Sequence, residues 1–189
     1  MNKFLKGVSL ITSIVLLSSI FVGCSSKTNG NSETTSISKV KGSEIVGNLG
    51  QETVNESIGI TLKNVYKLDM PEQDGNIFIA FNLKIENKSD ENQDFDAIRD
   101  FCIRFDDDDE LHYDELIQPN ALLYIKQNTN LNRISGEVAP NTMLEGVVTA
   151  MVPKNFSEAT LVCYVNYANT TGSIDFTITP DVLEPCPTK

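Results

Sequence analysis

Five consecutive acidic residues form the stretch of this sequence that points most directly to chemistry. Carboxylates crowded into one turn repel one another, and a hard cation such as Ca²⁺ relieves that repulsion. The run does not follow the EF-hand pattern, because its sixth position is Leu111 rather than Gly and its twelfth is Ile117 rather than Glu. Two interpretations stay open, a solvated acidic turn or a calcium site formed by Asp106, Asp107, Asp108, Asp109 and Glu110.

His112 is the only imidazole in the chain, so no site within it can use two. A catalytic His needs a nucleophile and an orienting acid, and the sequence contains no nucleophile elbow or related motif. A zinc site would need paired Cys or His spacings, which are also missing from the sequence. We therefore expect His112 to be an exposed strand residue, and we expect no catalytic residues and no enzymatic activity.

Three cysteines lie in the second half of the chain. Cys102 and Cys163 fall within predicted strands, where a thiol often serves as a small buried hydrophobic group. Cys186 stands between two prolines near the end and could staple the tail to the domain. Disulfides persist outside the cytoplasm, and three thiols allow three pairings with one left over. One disulfide is a possibility, and its pairing stays open.

The first residues have the pattern of an export signal. Lys3 and Lys6 precede an uncharged, largely apolar run of 15 residues from Val8 to Val22. A membrane-spanning helix needs about 20 apolar residues, whereas the core of a signal peptide needs about 7 to 15. We expect residues 1–23 to be a signal peptide.

The end of this run carries a more specific motif. Phe21-Val22-Gly23-Cys24 resembles the lipobox of bacterial lipoproteins, with Phe21 where that motif usually has Leu. The resemblance implies cleavage between Gly23 and Cys24 and a diacylglyceryl group on the Cys24 thiol. Two acyl chains anchor a protein stably, so the bilayer is a predicted partner at the extracytoplasmic face of the cell membrane. The alternatives are an ordinary secretory signal with a chance cysteine, or an uncleaved anchor.

Composition separates a tether from a folded domain. Residues 24–44 are rich in Ser, Thr, Asn and Gly, and we expect a disordered, lipidated linker with a reach of about 25 Å. The whole chain of 189 residues has a net charge of −11, and residues 45–189 hold 10 of the 15 basic and 24 of the 26 acidic residues, a net charge of −14. This balance excludes an electrostatic nucleic-acid binder. It favours a monomer and, weakly, cationic partners.

The region 45–180 is predicted to be all-β. Apolar residues alternate with other residues from Ile77 to Glu86, which is the period of a strand with one buried face. About seven strands are expected, at the spacing of an antiparallel sandwich. They are a pair within 54–65, then 77–86, 101–105, 143–152, 159–167 and 174–179. Pro119 to Gln127 is the one short helix, because Pro is favoured in a first helical turn, and 181–189 is a C-terminal tail.

Several stretches in order resemble a domain of unknown function common in Gram-positive lipoproteins, the DUF4352-type immunoglobulin-like domain. These stretches are 47–54, 60–65, 81–89, 101–113 and 138–154. Two departures are Asn141, where that family favours Gly, and the missing Gly near Asp109. The resemblance implies an immunoglobulin-like β-sandwich at the cell envelope and implies no known activity.

These observations together favour a non-enzymatic envelope lipoprotein. Its sandwich would act as a protein-binding or assembly module for an unidentified envelope protein, since loops and edge strands are ordinary contact sites. The alternative is an accessory lipoprotein that binds a small ligand or a divalent cation through the run Asp106–Glu110. No cofactor is expected apart from Ca²⁺ in that alternative.

Overall fold

Strand β4 (Asn76–Asn87) shows how the sequence pattern forms the core. Its odd-numbered residues from Ile77 to Ile85 are all buried between two sheets, as their period of two predicts. The structure, a computed structural model, describes residues 43–105, 112, 114–116, 118–165 and 172–189. These residues form an all-β sandwich with one α-helix, which confirms the predicted fold class.

Eleven strands lie in the described part of the chain. In order they are β1 (Ser43–Val46), β2 (Glu52–Asn55), β3 (Ile58–Lys67), β4, β5 (Gln93–Asp96), β6 (Phe101–Phe105), β7 (Ser135–Val138), β8 (Met143–Pro153), β9 (Ala159–Tyr164), β10 (Gly172–Ile178) and β11 (Leu183–Pro185). Helix α1 (Pro119–Asn128) separates β6 from β7, and short 3-10 turns cover Asp114–Leu116 and Pro180–Val182. The predicted helix is confirmed with one further residue at its end.

The strands form two main sheets and one small one. The first sheet has the order β1-β10-β9-β6, and the second has the order β11-β3-β4-β8 with β2 paired to β3. Strands β5 and β7 make a separate two-stranded sheet. Most pairs are antiparallel, but the edge strands β1 and β11 pair in parallel with β10 and β3. The core between the two main sheets is apolar and includes the fully buried Phe81, Phe101 and Phe176.

The expected count of about seven strands is too low. The four further strands, β1, β5, β7 and β11, are only three or four residues long. Such short edge strands carry too few alternating residues for a period to be visible. Strand β11 also brings part of the predicted tail, 181–189, into the second sheet, where Leu183 lies opposite Val65.

Two turns explain local features of the sequence. Asp74 and Gly75 both have positive φ, and Gln73 and Asn76 exchange backbone hydrogen bonds of 3.0 and 2.8 Å across them. This Asp-Gly hairpin is a favoured two-residue connection. Asn141 has a φ of 57°, in a turn where Pro140 precedes it and the Thr142 N–H donates to the Ala139 carbonyl. A side chain other than Gly is tolerated there because Asn enters the left-handed region more readily than most residues.

Candidate binding cleft

Several predicted site residues lie outside the described residues. These are Gly23 and Cys24 of the lipobox, and the acidic run Asp106, Asp107, Asp108, Asp109 and Glu110. The described positions on either side of the run are close in space. The Ile103 and His112 backbones exchange two hydrogen bonds of 2.8 and 3.3 Å. Elsewhere, the described residues contain no group of three or more His, Cys, Asp or Glu side chains that could hold a metal ion.

His112 is less exposed than the sequence suggested. Its ring centroid lies 4.9 Å from that of Phe105, with the planes tilted by 36°. The side chain is half-buried against the edge of β6 because the backbone bridge to Ile103 holds it there. The prediction of an exposed strand residue is therefore wrong for the side chain.

The three described cysteines lie in three different layers. Cys163 faces the core between the main sheets, and burial raises the pKa of its thiol well above the ordinary value. On the neighbouring strand β6, Phe101 is paired with Cys163, so the next residue, Cys102, faces the other side of that sheet. The Cys102 Sγ lies 3.5 Å from the Tyr164 hydroxyl. Cys186 packs on the outer side of the second sheet, half-buried, and burial raises its thiol pKa. No disulfide joins any two of these three, and any pairing would require the layers to rearrange.

A buried ion pair occupies the outer side of the first sheet. Asp175 on β10 is 6% exposed and contacts Arg104 on β6 and the Ser173 hydroxyl. Burial raises the pKa of the Asp175 carboxyl, while the Ser173 and Arg104 hydrogen bonds oppose that rise. The Asn55 amide donates to the Ser173 carbonyl and ties β2 to the same network. This network fixes three strands and has a structural role.

Helix α1 covers the outer side of the second sheet. Ala121 and Ile125 face the sheet and form a second apolar cluster with side chains of β3, β4 and β8. For this reason Phe78 and Ala80 on β4 are buried as well, although the alternation in this strand predicts one buried face. The helix thus converts one face of the sheet into a second core layer.

The segment after the helix returns along the edge of β8. The Val147 N–H donates to the Asn132 carbonyl at 2.7 Å, and the Ile134 N–H donates to the Val147 carbonyl at 3.0 Å. Gly146 permits this approach, because a Cβ there would lie 2.6 Å from the Asn132 carbonyl oxygen. The loop 129–133 is therefore held beside the end of α1.

A cleft of about 520 Å³ lies between this loop, the last turns of α1 and Lys189. Its volume is in the range of ordinary small-ligand sites. Its lining combines apolar, amide and basic side chains, namely Leu122, Ile125, Lys126, Thr129, Asn130, Leu131, Asn132, Arg133 and Lys189. No Asp, Glu, His or Cys side chain contributes to this lining.

The basic residues of the cleft differ from most others in the domain. Seven of the ten described Lys and Arg side chains in 45–189 form ion pairs with described carboxylates, and Lys67, Lys126 and Lys189 do not. Two of these three line the cleft. The third basic residue of the cleft, Arg133, contacts both carboxylate oxygens of Asp96 at 3.1 Å through Nη2 alone. Among the described residues its other guanidinium nitrogens have no acceptor.

The negative end of the α1 dipole is already compensated. The Ile125 carbonyl accepts hydrogen bonds from the Thr129 N–H and hydroxyl at 3.1 and 2.8 Å. Lys189 donates its N–H to the Asn128 carbonyl at 2.9 Å and its ammonium group to the Lys126 carbonyl at 3.1 Å. Unsatisfied carbonyls at a helix C-terminus would repel an anion, and here three of the last four, those of Ile125, Lys126 and Asn128, accept hydrogen bonds.

The sequence analysis missed this cleft, although one signal for it was present. Residues 116–136 contain no Asp or Glu, which is a run of 21 residues in a domain where 24 of 145 residues are acidic. The acid-free run contains α1 and the loop after it. A search for stretches that depart from the average charge would have found it.

The profile of a domain of unknown function, DUF5067, matches residues 27–171 of the chain. The protein belongs to the DUF5067 family. The DUF5067 match includes α1 and the cleft loop and ends before β10, so the last strands of the sandwich lie beyond it. The resemblance to DUF4352-type domains covers much of the same region and stays a prediction.

Three solved structures are similar to this DUF5067 protein. A candidate lipoprotein from Bacillus subtilis, ycdA, is 15% identical with a TM-score of 0.48, and the likeness covers 69% of this chain and 38% of that one. The yjhA protein of Bacillus subtilis is 16% identical with a TM-score of 0.45, covering 72% and 99%. An uncharacterised β-sandwich protein from Clostridium difficile is 9% identical with a TM-score of 0.44, covering 73% and 96%.

These similarities say nothing about what the DUF5067 domain does, because the identities and TM-scores are low. The chain spans little more than a third of the length of the first of these proteins. No curated protein matches the chain. Among the described residues, no helix is long and apolar enough to cross a membrane.

Proposed function

We propose that this protein is a membrane-anchored envelope lipoprotein whose β-sandwich binds another envelope protein, without catalysing a reaction. The anchor is Cys24, joined to lipid at the extracytoplasmic face of the membrane, and the contact site is the cleft beside α1. The proposal places the DUF5067 protein among binding or assembly modules.

The observation that carries the proposal is the composition of the cleft. It offers amide and basic donors beside apolar side chains, which resembles the mixture of a few polar groups among apolar ones found in binding pockets. Its lining has no carboxylate, imidazole or thiol that could serve as a general base or a nucleophile. A site of this composition can hold a partner, and its side chains that could take part in acid–base or covalent chemistry are limited to Lys126, Lys189 and Thr129.

Site-specific photo-crosslinking in intact cells tests this role. A photo-reactive amino acid replaces Asn130 or Asn132, which are exposed at the cleft, and in matched controls it replaces Val54 on β2 or Thr177 on β10, which are exposed elsewhere. We expect one discrete adduct, the same from both cleft positions and weak from the controls. Adducts that are equal at all four positions would contradict a specific contact at the cleft, and so would their absence at the cleft positions.

The second candidate function is cation binding through Asp106–Glu110, favoured by the density of carboxylates in that run. A thermal melt with millimolar Ca²⁺ and a matched Mg²⁺ control separates it from the first. Specific calcium binding predicts a higher Tm in Ca²⁺ alone, because a ligand that binds only the folded state stabilises it. Equal melting temperatures in both salts would remove this candidate.

A further inference from the structure

We infer that the cleft beside α1 binds an acidic peptide segment of its partner, one in which carboxylate side chains alternate with apolar ones. This inference rests on the proposed binding function and names the chemistry of the partner. It follows from three features of the cleft, its charge, its apolar lining and its setting in an acidic domain.

The charge of the cleft is the first argument. The ammonium group of Lys126 is exposed and has no ion pair among the described residues. Arg133 directs only Nη2 at Asp96, which leaves further N–H groups for a second acceptor. The Asn130 and Asn132 amides are exposed, and within the described chain their side chains have no hydrogen-bond partner. Together these groups present an excess of donors, which carboxylates would satisfy with charge-assisted hydrogen bonds.

The lining indicates a peptide rather than a free anion. A volume of about 520 Å³ is far larger than a single carboxylate needs, and Leu122, Ile125 and Leu131 form part of the wall. Apolar side chains of a partner would gain by covering that wall, while neighbouring carboxylates reach the donors. A segment with alternating acidic and apolar residues meets both requirements.

The surrounding charge makes the cleft selective for such a segment. The domain has a net charge of −14, so acidic segments are repelled over most of its surface. Screening reduces that repulsion beyond about 8 Å at physiological salt, so local charge decides the contact. The run 116–136 is the longest stretch of the domain sequence without Asp or Glu. Repulsion elsewhere and attraction here together confine an acidic segment to this cleft.

The test is a titration of the full chain, in detergent micelles at physiological salt, with the blocked peptide acetyl-Glu-Leu-Glu-Leu-Glu-amide. Its Gln counterpart and free acetate serve as controls, and binding is followed by the NMR shifts of backbone and Asn side-chain amides. We expect the Glu peptide to shift the resonances of Asn130, Asn132 and Arg133. The Gln peptide should bind at least about fivefold more weakly, because its neutral side chains make no charge-assisted hydrogen bond.

Two matched variants locate the interaction. Lys126→Gln and Lys67→Gln each remove one exposed lysine that lacks an ion pair among the described residues, and only Lys126 lines the cleft. We expect roughly a fivefold loss of affinity in Lys126→Gln, recovery in Lys126→Arg, and less than about a twofold change in Lys67→Gln. An unchanged Tm in each variant shows that the fold is intact.

Three outcomes would overturn the inference. They are no binding of the Glu peptide at millimolar concentration, equal shifts with the Gln peptide or with acetate, and equal losses in the two Lys→Gln variants. In each of these cases crosslinks from Asn130 and Asn132 would still support a protein-binding cleft, with a partner of different chemistry. Loss of those crosslinks instead would contradict the proposed function itself.

Discussion

Cys163 and Cys186 differ in burial, and burial determines how readily a thiol reacts. The Cys163 thiol lies in the core with its pKa raised, and the half-buried Cys186 thiol lies beside α1. Since the thiolate is the reactive form and must be reached by the reagent, native protein should react with maleimide at Cys186 first. Cys163 should react only after unfolding. Peptide mass spectrometry assigns the labelled positions, and labelling of Cys163 in the native protein at the rate of Cys186 would contradict the layer assignment.

The raised pKa of Asp175 predicts the direction in which the free energy of unfolding changes with pH. Burial raises its pKa above the ordinary value of 3.8, with Glu44 adding to the rise and Ser173 and Arg104 opposing it. A carboxyl that holds its proton more tightly when folded contributes stability below its unfolded pKa, and that contribution is lost as pH rises through the folded value. Asp175→Asn removes the titration. Urea melts should therefore show the wild-type free energy of unfolding falling relative to the variant as pH rises above about 4. If the wild-type free energy of unfolding minus that of Asp175→Asn stayed constant or increased as pH rose, the raised pKa of Asp175 would be contradicted.

Phe81 tests the packing of the core. It is fully buried at the centre of β4, whereas Lys84 on the other side of the same strand is partly exposed and paired with Glu86. Phe81→Ala should lower the free energy of unfolding by about 3 to 5 kcal/mol, from lost transfer energy and the cavity. A domain of this size has about 5 to 15 kcal/mol in total. Lys84→Ala should change the denaturation midpoint little, and equal losses in the two variants would mean that β4 does not bury its odd positions.

At the scale of elements, Gly146 decides whether the loop after α1 can lie against β8. Gly146→Ala would place a Cβ 2.6 Å from the Asn132 carbonyl oxygen and 3.0 Å from the Ile134 nitrogen, both backbone atoms. We expect a loss of about 1 to 3 kcal/mol, because the loop must move and the two hydrogen bonds to Val147 weaken. Hydrogen exchange should rise at the Val147 and Ile134 amides and stay unchanged along β3 and β4. Unchanged exchange at Val147 and Ile134 would show that the loop tolerates the methyl group.

The long strands could be predicted because a period of two needs several residues to be visible. Strand β4 has 12 residues and β8 has 11, and both were placed within about one residue. Strands β1, β5, β7 and β11 have three or four residues and are defined by their partners rather than by their own pattern. Helix α1 was predicted from Pro119, which is compatible with a first turn.

The cleft could not be derived from local patterns. It depends on α1 lying across the second sheet, on Gly146 admitting the loop, and on Lys189 returning to the end of the helix. Each is a contact between residues far apart in sequence. The charge of the cleft, in contrast, was visible in the acid-free run 116–136. The composition of the site was therefore readable from the sequence, and its geometry required the fold.

The whole molecule, as proposed, would consist of a lipid anchor, a flexible tether and a binding domain. With Cys24 lipidated as proposed, a flexible linker over 24–44 would place the sandwich at a root-mean-square distance of about 25 Å from the bilayer. The net charge of −14 on residues 45–189 would then be repelled by an anionic membrane surface. The sandwich would then stay near the membrane without adhering to it, and the cleft beside α1 would remain open to a neighbouring protein.

In the proposed function, the protein is a lipoprotein anchored to the membrane through Cys24. Expression of the full chain in a bacterium grown with a labelled fatty acid, followed by isolation of the protein and membrane fractionation, tests this anchor. The wild-type chain should carry the label and sediment with membranes, because the Cys24 thiol is the acceptor. Cys24→Ala should carry no label, while Cys186→Ala, which changes a cysteine outside the motif, should be labelled like the wild type. Label on Cys24→Ala, or an unlabelled wild-type chain, would contradict a lipid anchor at Cys24.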